Sequence, residues 1–226
     1  MKKPRVLLAD DHTLVLEGFT KLLEDHCELV GTAEDGRTLV EMAGRLRPDI
    51  VFLDISMPRL NGIDAGKKLK KLLPDVKLVF VTMHADAAYV NEAFRAGASG
   101  YLLKRSAAKE LVQAMQSVMN GDYYVTPLVT KDVISAFVTS GQPALHTLDD
   151  LTSRQREILQ LVAEGFSAKE IGSQLKVSHR TVEFHKAKIM ELLNLHTTAD
   201  LVTYALSHGL VSVPPSLRSR SAPFSS

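Results

Sequence analysis

The chain has 226 residues, 45% of them apolar and 23% charged, and its 27 basic and 26 acidic side chains leave a formal charge of +1. Bulk charge therefore gives no sign of a nucleic-acid binder, and any such affinity has to come from locally placed cations. No apolar run approaches the roughly 20 residues that span a bilayer, and Met1 to Arg5 lead straight into a strand, so a cytoplasmic protein with no membrane partner is expected. A single cysteine, Cys27, excludes an internal disulfide.

Short apolar runs alternate with helical patterns through residues 5 to 119. Strands are expected at Arg5 to Asp10, Glu28 to Ala33, Ile50 to Asp54, Lys77 to Thr82 and Gly100 to Lys104. Apolar residues at helical spacing lie between them, among them Leu14, Phe19, Leu39, Leu69 and Val90, and Ser106 is expected to cap a fifth helix ending at Asn120 and Gly121. The order predicts an α/β fold, a doubly wound five-stranded parallel sheet over residues 1–121. Residues 122–149, with Pro127, Gly141 and Pro143, read as a linker carrying one candidate helix from Leu128 to Val138. From 150 to 211 the period changes to four short helices, a small all-α domain, and 212–226 reads as a disordered tail rich in Ser, Pro and Arg.

In a parallel sheet of this kind the working crevice lies beyond the carboxyl ends of the strands. Asp10, Asp11, Asp54, Thr82 and Lys104 all stand there. A lone Asp at a strand end is usually a turn former, but three crowded carboxylates repel one another unless a cation sits among them, and oxygen ligands of this kind suit Mg2+. With that charge screened, Asp54 can attack phosphorus as a nucleophile, Lys104 can place its ammonium against the phosphoryl oxygens, and Thr82 can donate a hydroxyl hydrogen bond.

Leu8-Ala9-Asp10-Asp11-His12, Asp54 followed by Met57-Pro58 and Asn61-Gly62, Thr82 and Lys104 together resemble the receiver domain of bacterial two-component response regulators, whose sheet is flavodoxin-like. That resemblance implies that Asp54 is the phosphoacceptor for a sensor histidine kinase. It also implies that Asp11 and Asp54 ligate Mg2+ directly with the Ser56 carbonyl, and that Asp10 is an outer-shell ligand. A switch is implied too, in which Thr82 moves toward the phosphoryl group and Tyr101 turns into the space it leaves; by itself Tyr101 reads equally as an ordinary strand aromatic.

In the last domain, Ala168 to Leu175 and His179 to Asn194 are two helices joined by Val177-Ser178, the spacing of a helix-turn-helix. On the second helix Val182, Ile189 and Leu193 form a core stripe, while Arg180, Glu183, Phe184 and Ala187 share another face edged by His185, Lys186 and Lys188. Residues 150–210, through Leu151-Thr152-Ser153-Arg154-Gln155-Arg156-Glu157-Ile158, Lys169-Glu170-Ile171, Val177-Ser178, Thr181-Val182 and His185, resemble the LuxR-type helix-turn-helix of NarL/FixJ-type response regulators. By that resemblance Glu183, Phe184 and Ala187 face bases, and Arg180, Thr181 and Lys188 anchor the backbone of double-stranded promoter DNA. A Glu183 carboxylate accepts from cytosine N4 and rejects guanine acceptors, which shifts base preference. Leu201, Val202 and Leu206 pack on the core or contribute to a dimer contact.

The expected function is a DNA-binding response regulator, phosphorylated on Asp54 with Mg2+, that dimerises and controls transcription, with RNA polymerase a further candidate partner. It is expected to be a stoichiometric phosphoacceptor rather than an enzyme. Two alternatives are a receiver whose output is protein contact, and a metal-dependent phosphatase. The latter needs a second acid two residues after the nucleophile, where this chain has Ser56.

Overall fold

The computed structural model describes residues 3–129 and 151–211. Past Val129 the expected helix from Leu128 to Val138 lies outside the described residues, as does the expected tail. The chain divides between residues 145 and 146 into two compact units.

In the first unit β1 (Arg5–Ala9), α1 (Thr13–Leu23), β2 (Glu28–Ala33), α2 (Gly36–Leu46), β3 (Ile50–Leu53), α3 (Gly62–Leu72), β4 (Lys77–Thr82), α4 (Ala87–Arg95), β5 (Gly100–Leu103), α5 (Lys104–Met119) and β6 (Tyr124–Val125) follow in order. All strand pairings are parallel, in the order β2-β1-β3-β4-β5-β6. Because side chains alternate along a strand, both faces must be covered. Leu7, Val51, Leu53, Leu78, Phe80, Tyr101 and Leu103 join Leu39 of α2, Leu69 of α3 and Val90 of α4 in one apolar cluster. Val6, Leu8, Ile50, Phe52, Val79, Val81 and Leu102 join Leu16 of α1 and Leu111 of α5 in the other.

Three expectations need correction. Among the described residues the sheet has six strands, because Tyr124 and Val125, expected as linker, pair with Gly100 and Tyr101 of β5. β1, β3 and β5 each stop one residue short of Asp10, Asp54 and Lys104, so these polar groups open the loops and the helix that follow. α5 begins at Lys104 directly after Leu103, so Ser106 is not its cap; it lies inside the first turn and donates to the Leu103 carbonyl at 3.1 Å. The strand order reverses about β1, and the loops after β1 and β3 open beside each other there, as expected for a ligand crevice. The β3 loop folds tightly back on α3: a Cβ on Gly62 would lie 2.0 Å from the Asp54 carbonyl oxygen, a distance only glycine permits.

The second unit contains α6 (Ser153–Ala163), α7 (Ala168–Leu175), α8 (His179–Leu192) and α9 (Thr198–Ser207) around a core of Ile158, Leu161, Ile171, Val182, Ile189, Leu201 and Ala205. Helices this short do not persist alone, so packing and capping must set their ends. Thr152 with Gln155, Ser167 with Glu170, and Thr197 with Asp200 form reciprocal capping boxes at α6, α7 and α9, and Ser178 accepts from Thr181 N at α8. The α7–α8 turn is tight because Lys176 adopts a left-handed conformation (φ 55°) and Gly172 lets the Val177 carbonyl come close.

Candidate functional site

Asp10 and Asp54, the residues that follow β1 and β3, are 2% and 4% exposed. Burial of two carboxylates side by side needs a compensating cation, and Lys104 supplies one. Its Nζ lies 2.7 Å from Asp10 Oδ2 and 2.7 Å from Asp54 Oδ2. The other Asp54 oxygen accepts from the Ile55 amide at 2.6 Å, and the other Asp10 oxygen from the His12 amide at 2.9 Å. Burial, with Asp54 alongside, pushes the Asp10 carboxyl above its ordinary range despite Lys104. For Lys104 burial acts downward, but Asp54 and Asp10 outweigh it and hold the ammonium above its ordinary value.

Asp11 leaves an open demand. Its Oδ1 is 2.9 Å from His12 Nδ1 yet outside hydrogen-bonding geometry, and it is buried with no hydrogen-bond partner among the described residues. Asp10, Asp11, His12 and Asp54 each offer one ligand atom, all within 4.8 Å of one another. An orphaned carboxylate oxygen inside an oxygen-rich cluster fits a hard divalent cation, because it gains a partner without displacing an existing bond.

Thr82, wholly buried at the end of β4, accepts from the His84 amide at 3.3 Å. Ser56 is tied to the same residue, its Oγ 2.9 Å from His84 Nε2. Tyr101 is fully buried and donates to the His84 carbonyl at 2.8 Å, and the His84 ring stacks on Tyr89 with centroids 4.2 Å apart. Burial draws the His84 imidazole below the ordinary histidine range against the pull of Asp54 and Asp86, and pushes the Tyr89 phenol up to about 12. His84 therefore joins the loops after β3 and β4 to Tyr101. Sequence reading missed it, although its place two residues after Thr82 was a usable signal; His12, beside two aspartates, was missed likewise.

On α8, Val182 and Ile189 are buried as expected, as is Leu193 at its C-cap, and Arg180, Glu183, Phe184, Ala187 and Lys188 are exposed. Phe184 is 60% exposed, and its ring meets that of His185 edge-on at 5.7 Å. Thr181 is half-buried and caps the helix together with Ser178, whose Oγ lies 2.8 Å from Thr181 Oγ1. Lys188 pairs with Glu191 at 2.7 Å. The face thus carries cations, one acid and one aromatic, a mixture suited to the varied edge chemistry of a DNA groove. In α9, Leu201 and Ala205 enter the core, while Val202 and Leu206 are half-buried.

Residues 6–116 match the response regulator receiver domain family, and residues 149–205 match the bacterial regulatory proteins of the luxR family. The oxygen regulatory protein NreC of Staphylococcus carnosus is 39% identical over 214 residues, covering 92% of this chain and 99% of that protein. The transcriptional regulatory protein MctR of Rhizobium johnstonii is 39% identical over 212 residues, with 93% and 96% covered. A structure of the Salmonella typhimurium RcsB response regulator has a TM-score of 0.63 at 27% identity, covering 92% of this chain and 99% of that one. A second RcsB structure, bound to a promoter with the phosphomimetic BeF3−, has a TM-score of 0.59 at 26% identity, with 91% and 99% covered. A buried acidic crevice behind a six-stranded parallel sheet, a capped helix-turn-helix and similarity along nearly the whole length lead to one conclusion: the chain belongs to the two-component response regulators that join a receiver domain to a LuxR-family helix-turn-helix.

Proposed function

We propose that this protein is a transcription regulator whose DNA binding is controlled by phosphorylation of Asp54. The donor is a phosphohistidine on a sensor kinase: an Asp54 carboxylate oxygen bonds to phosphorus, the phosphorus–nitrogen bond breaks, and the kinase histidine keeps the electron pair. The observation that carries this reading is the Asp54–Lys104–Asp10 arrangement, a buried nucleophile beside one ammonium and an orphaned Asp11 oxygen. Asp11, Asp54 and the Ser56 carbonyl are the ligands assigned to Mg2+, with Asp10 in the outer shell. When bound, the ion supplies the positive charge that lets a phosphoryl dianion approach carboxylates.

Lys104 has its own part. It neutralises the two carboxylates before transfer and can turn to the phosphoryl oxygens afterwards, since a flexible ammonium is a point charge rather than a fixed fork. Thr82 Oγ1, bonded only loosely to His84 N, is placed to donate to the same group. That move and the packing of Tyr101, wholly buried against the His84 carbonyl, form the two-state element of the switch. The helical unit then pairs with a second copy, so that two α8 helices address successive half-sites of promoter DNA, with RNA polymerase as a downstream partner.

Purified full-length chain given Mg2+ and a small phosphodonor should take up one acid-labile phosphate, and Asp54→Ala none. The phosphorylated form should shift promoter fragments at lower concentration than the unphosphorylated form. Label retained in Asp54→Ala removes that residue from the role. Failure to bind DNA in either state favours the protein-contact output, for which Phe184 and Glu183 would serve as a docking patch. Sustained phosphate release from phosphomonoesters would favour a phosphatase, against which Ser56 stands where a proton-donating acid is needed.

A further inference from the structure

The chain leaving the first unit is sewn to the sheet beside Lys104. β6 pairs with β5, and the Thr126 amide extends that ladder by donating to the Tyr101 carbonyl at 2.9 Å. Thr126 and Val129 are wholly buried, and Val129 belongs to the same apolar cluster as Tyr101 and Leu103. Around Thr126 lies a chain of hydroxyls. Glu110 of α5 accepts from Thr126 Oγ1 at 3.1 Å through one carboxylate oxygen and from the Tyr124 hydroxyl at 3.2 Å through the other. Thr126 Oγ1 also lies 3.2 Å from Ser106 Oγ, which is within 3.1 Å of the Leu103 carbonyl.

The proton count makes this arrangement two-sided. The Thr126 hydroxyl donates to Glu110, so its one hydrogen is spent there. The single Ser106 hydrogen is left to choose between the Leu103 carbonyl and Thr126 Oγ1. Choosing Leu103 braces the first turn of α5, which begins with Lys104 and has no side-chain cap of its own. Choosing Thr126 ties the outgoing segment more firmly to α5. Each choice costs the other about one hydrogen bond.

We propose that residues 124–129 form a strap, held by Thr126 through Ser106, that links the turn carrying Lys104 to the chain leading toward the helical unit. Thr126 is a positioning residue: it touches no reacting atom. When Lys104 turns from the Asp10 and Asp54 carboxylates to a phosphoryl group, the first turn of α5 shifts its hold on Ser106, and the strap changes with it. By reciprocity, what happens to the strap alters how readily the site accepts its phosphoryl group. This rests on the phosphorylation-controlled reading above, and it adds the route by which the site is connected to the rest of the chain.

Two measurements on the full-length chain test it, with beryllofluoride and Mg2+ standing in for the phosphoryl group. The first is amide hydrogen exchange over residues 124–129, which needs no DNA. The Thr126 amide should change its exchange rate by about fivefold or more on adding beryllofluoride, within the usual span of coupled sites. Thr126→Val, which keeps the shape and removes the hydroxyl, should show less than about a twofold change, and Thr126→Ser should restore it. The second is the ratio of promoter affinities with and without beryllofluoride, which Thr126→Val should bring to within about twofold of unity and Thr126→Ser should recover. No exchange response in the wild type, or a Thr126→Val that behaves as the wild type in both measurements, overturns the strap. A wild type whose exchange responds while its DNA affinity does not overturns the phosphorylation-controlled reading and leaves the strap as a local device.

Discussion

In the receiver unit Asp10 and Asp54 are almost fully buried and share one ammonium, whereas in the helical unit the acids that shape the fold, Glu170 and Asp200, sit at exposed helix starts and bond their own caps. The first arrangement concentrates electrostatic stress in one crevice, where a small change in charge has large leverage. The second spreads modest local bonds over four short helices, where any one bond matters little and the shared apolar core matters most. A switch needs the first kind of construction, and a rigid reading head the second.

The widest gap between the units should appear on removing Lys104. Lys104→Met leaves two buried carboxylates without their cation, and the receiver should lose about 3–5 kcal/mol in Mg2+-free denaturant unfolding, with part recovered on adding Mg2+. A loss below about 1 kcal/mol, the range of surface pairs, would mean that the crevice is better hydrated than its burial indicates. In the helical unit the comparable lesion is apolar. Ile171→Ala, at a wholly buried position, should cost that unit about 3 kcal/mol while leaving phosphate uptake by Asp54 unchanged, as calorimetry and labelling of the same sample would show.

Gly62→Ala sharpens the contrast by attacking the crevice through the backbone. The new methyl group meets the Asp54 carbonyl, so the β3 loop must move, and a stability loss of about 1–3 kcal/mol should come with slower phosphorylation. Wild-type phosphorylation rates in that variant would show that the loop relaxes without moving its carboxylate. The smallest effects belong to the caps. Ser167→Ala should lower the stability of the helical unit by about 1 kcal/mol.

The caps also predict a pH dependence with a definite sign. Bonds from Ser167 hold the Glu170 carboxyl below its ordinary value of 4.5, and Thr197 with the His196 and Thr197 amides does the same for Asp200, below 3.8. The unfolded chain therefore binds protons first as pH falls, so the contribution of these caps is complete above about pH 4.5 and declines below it. Melting of the helical unit between about pH 6 and about pH 3, the window in which carboxylates titrate, should show that decline, and Glu170→Gln, which keeps an acceptor but cannot titrate, should flatten it.

Much of this was legible in the one-dimensional pattern. Apolar runs at Val6 to Ala9, Ile50 to Leu53 and Leu78 to Val81 announced parallel strands because both faces of such a sheet must be apolar, and the polar residue after each run announced the crevice. The helix starts expected at Ala168 and His179 hold because the bonds of Ser167 and Ser178 that set them are local. β6 was not legible: two residues have no period, and Tyr124 and Val125 form a strand only because β5 offers an open edge. The α5 start was misread for the same reason, since Ser106 looks like a cap in sequence but β5 delivers the chain straight into the helix at Leu103.

The sequence by itself determined the order of the elements from β1 to α5, the paired helices of the helix-turn-helix and the identity of the charged groups, because all of these follow from local periodicity and residue type. Only the tertiary structure decided that Lys104 would lie equally close to Asp10 and Asp54, that His84 would join Ser56 to Tyr101, and that Thr126 would reach Ser106 and Glu110. Those partners are 16 to 94 positions apart, and such meetings depend on how strands are ordered in the sheet, which no short-range pattern encodes.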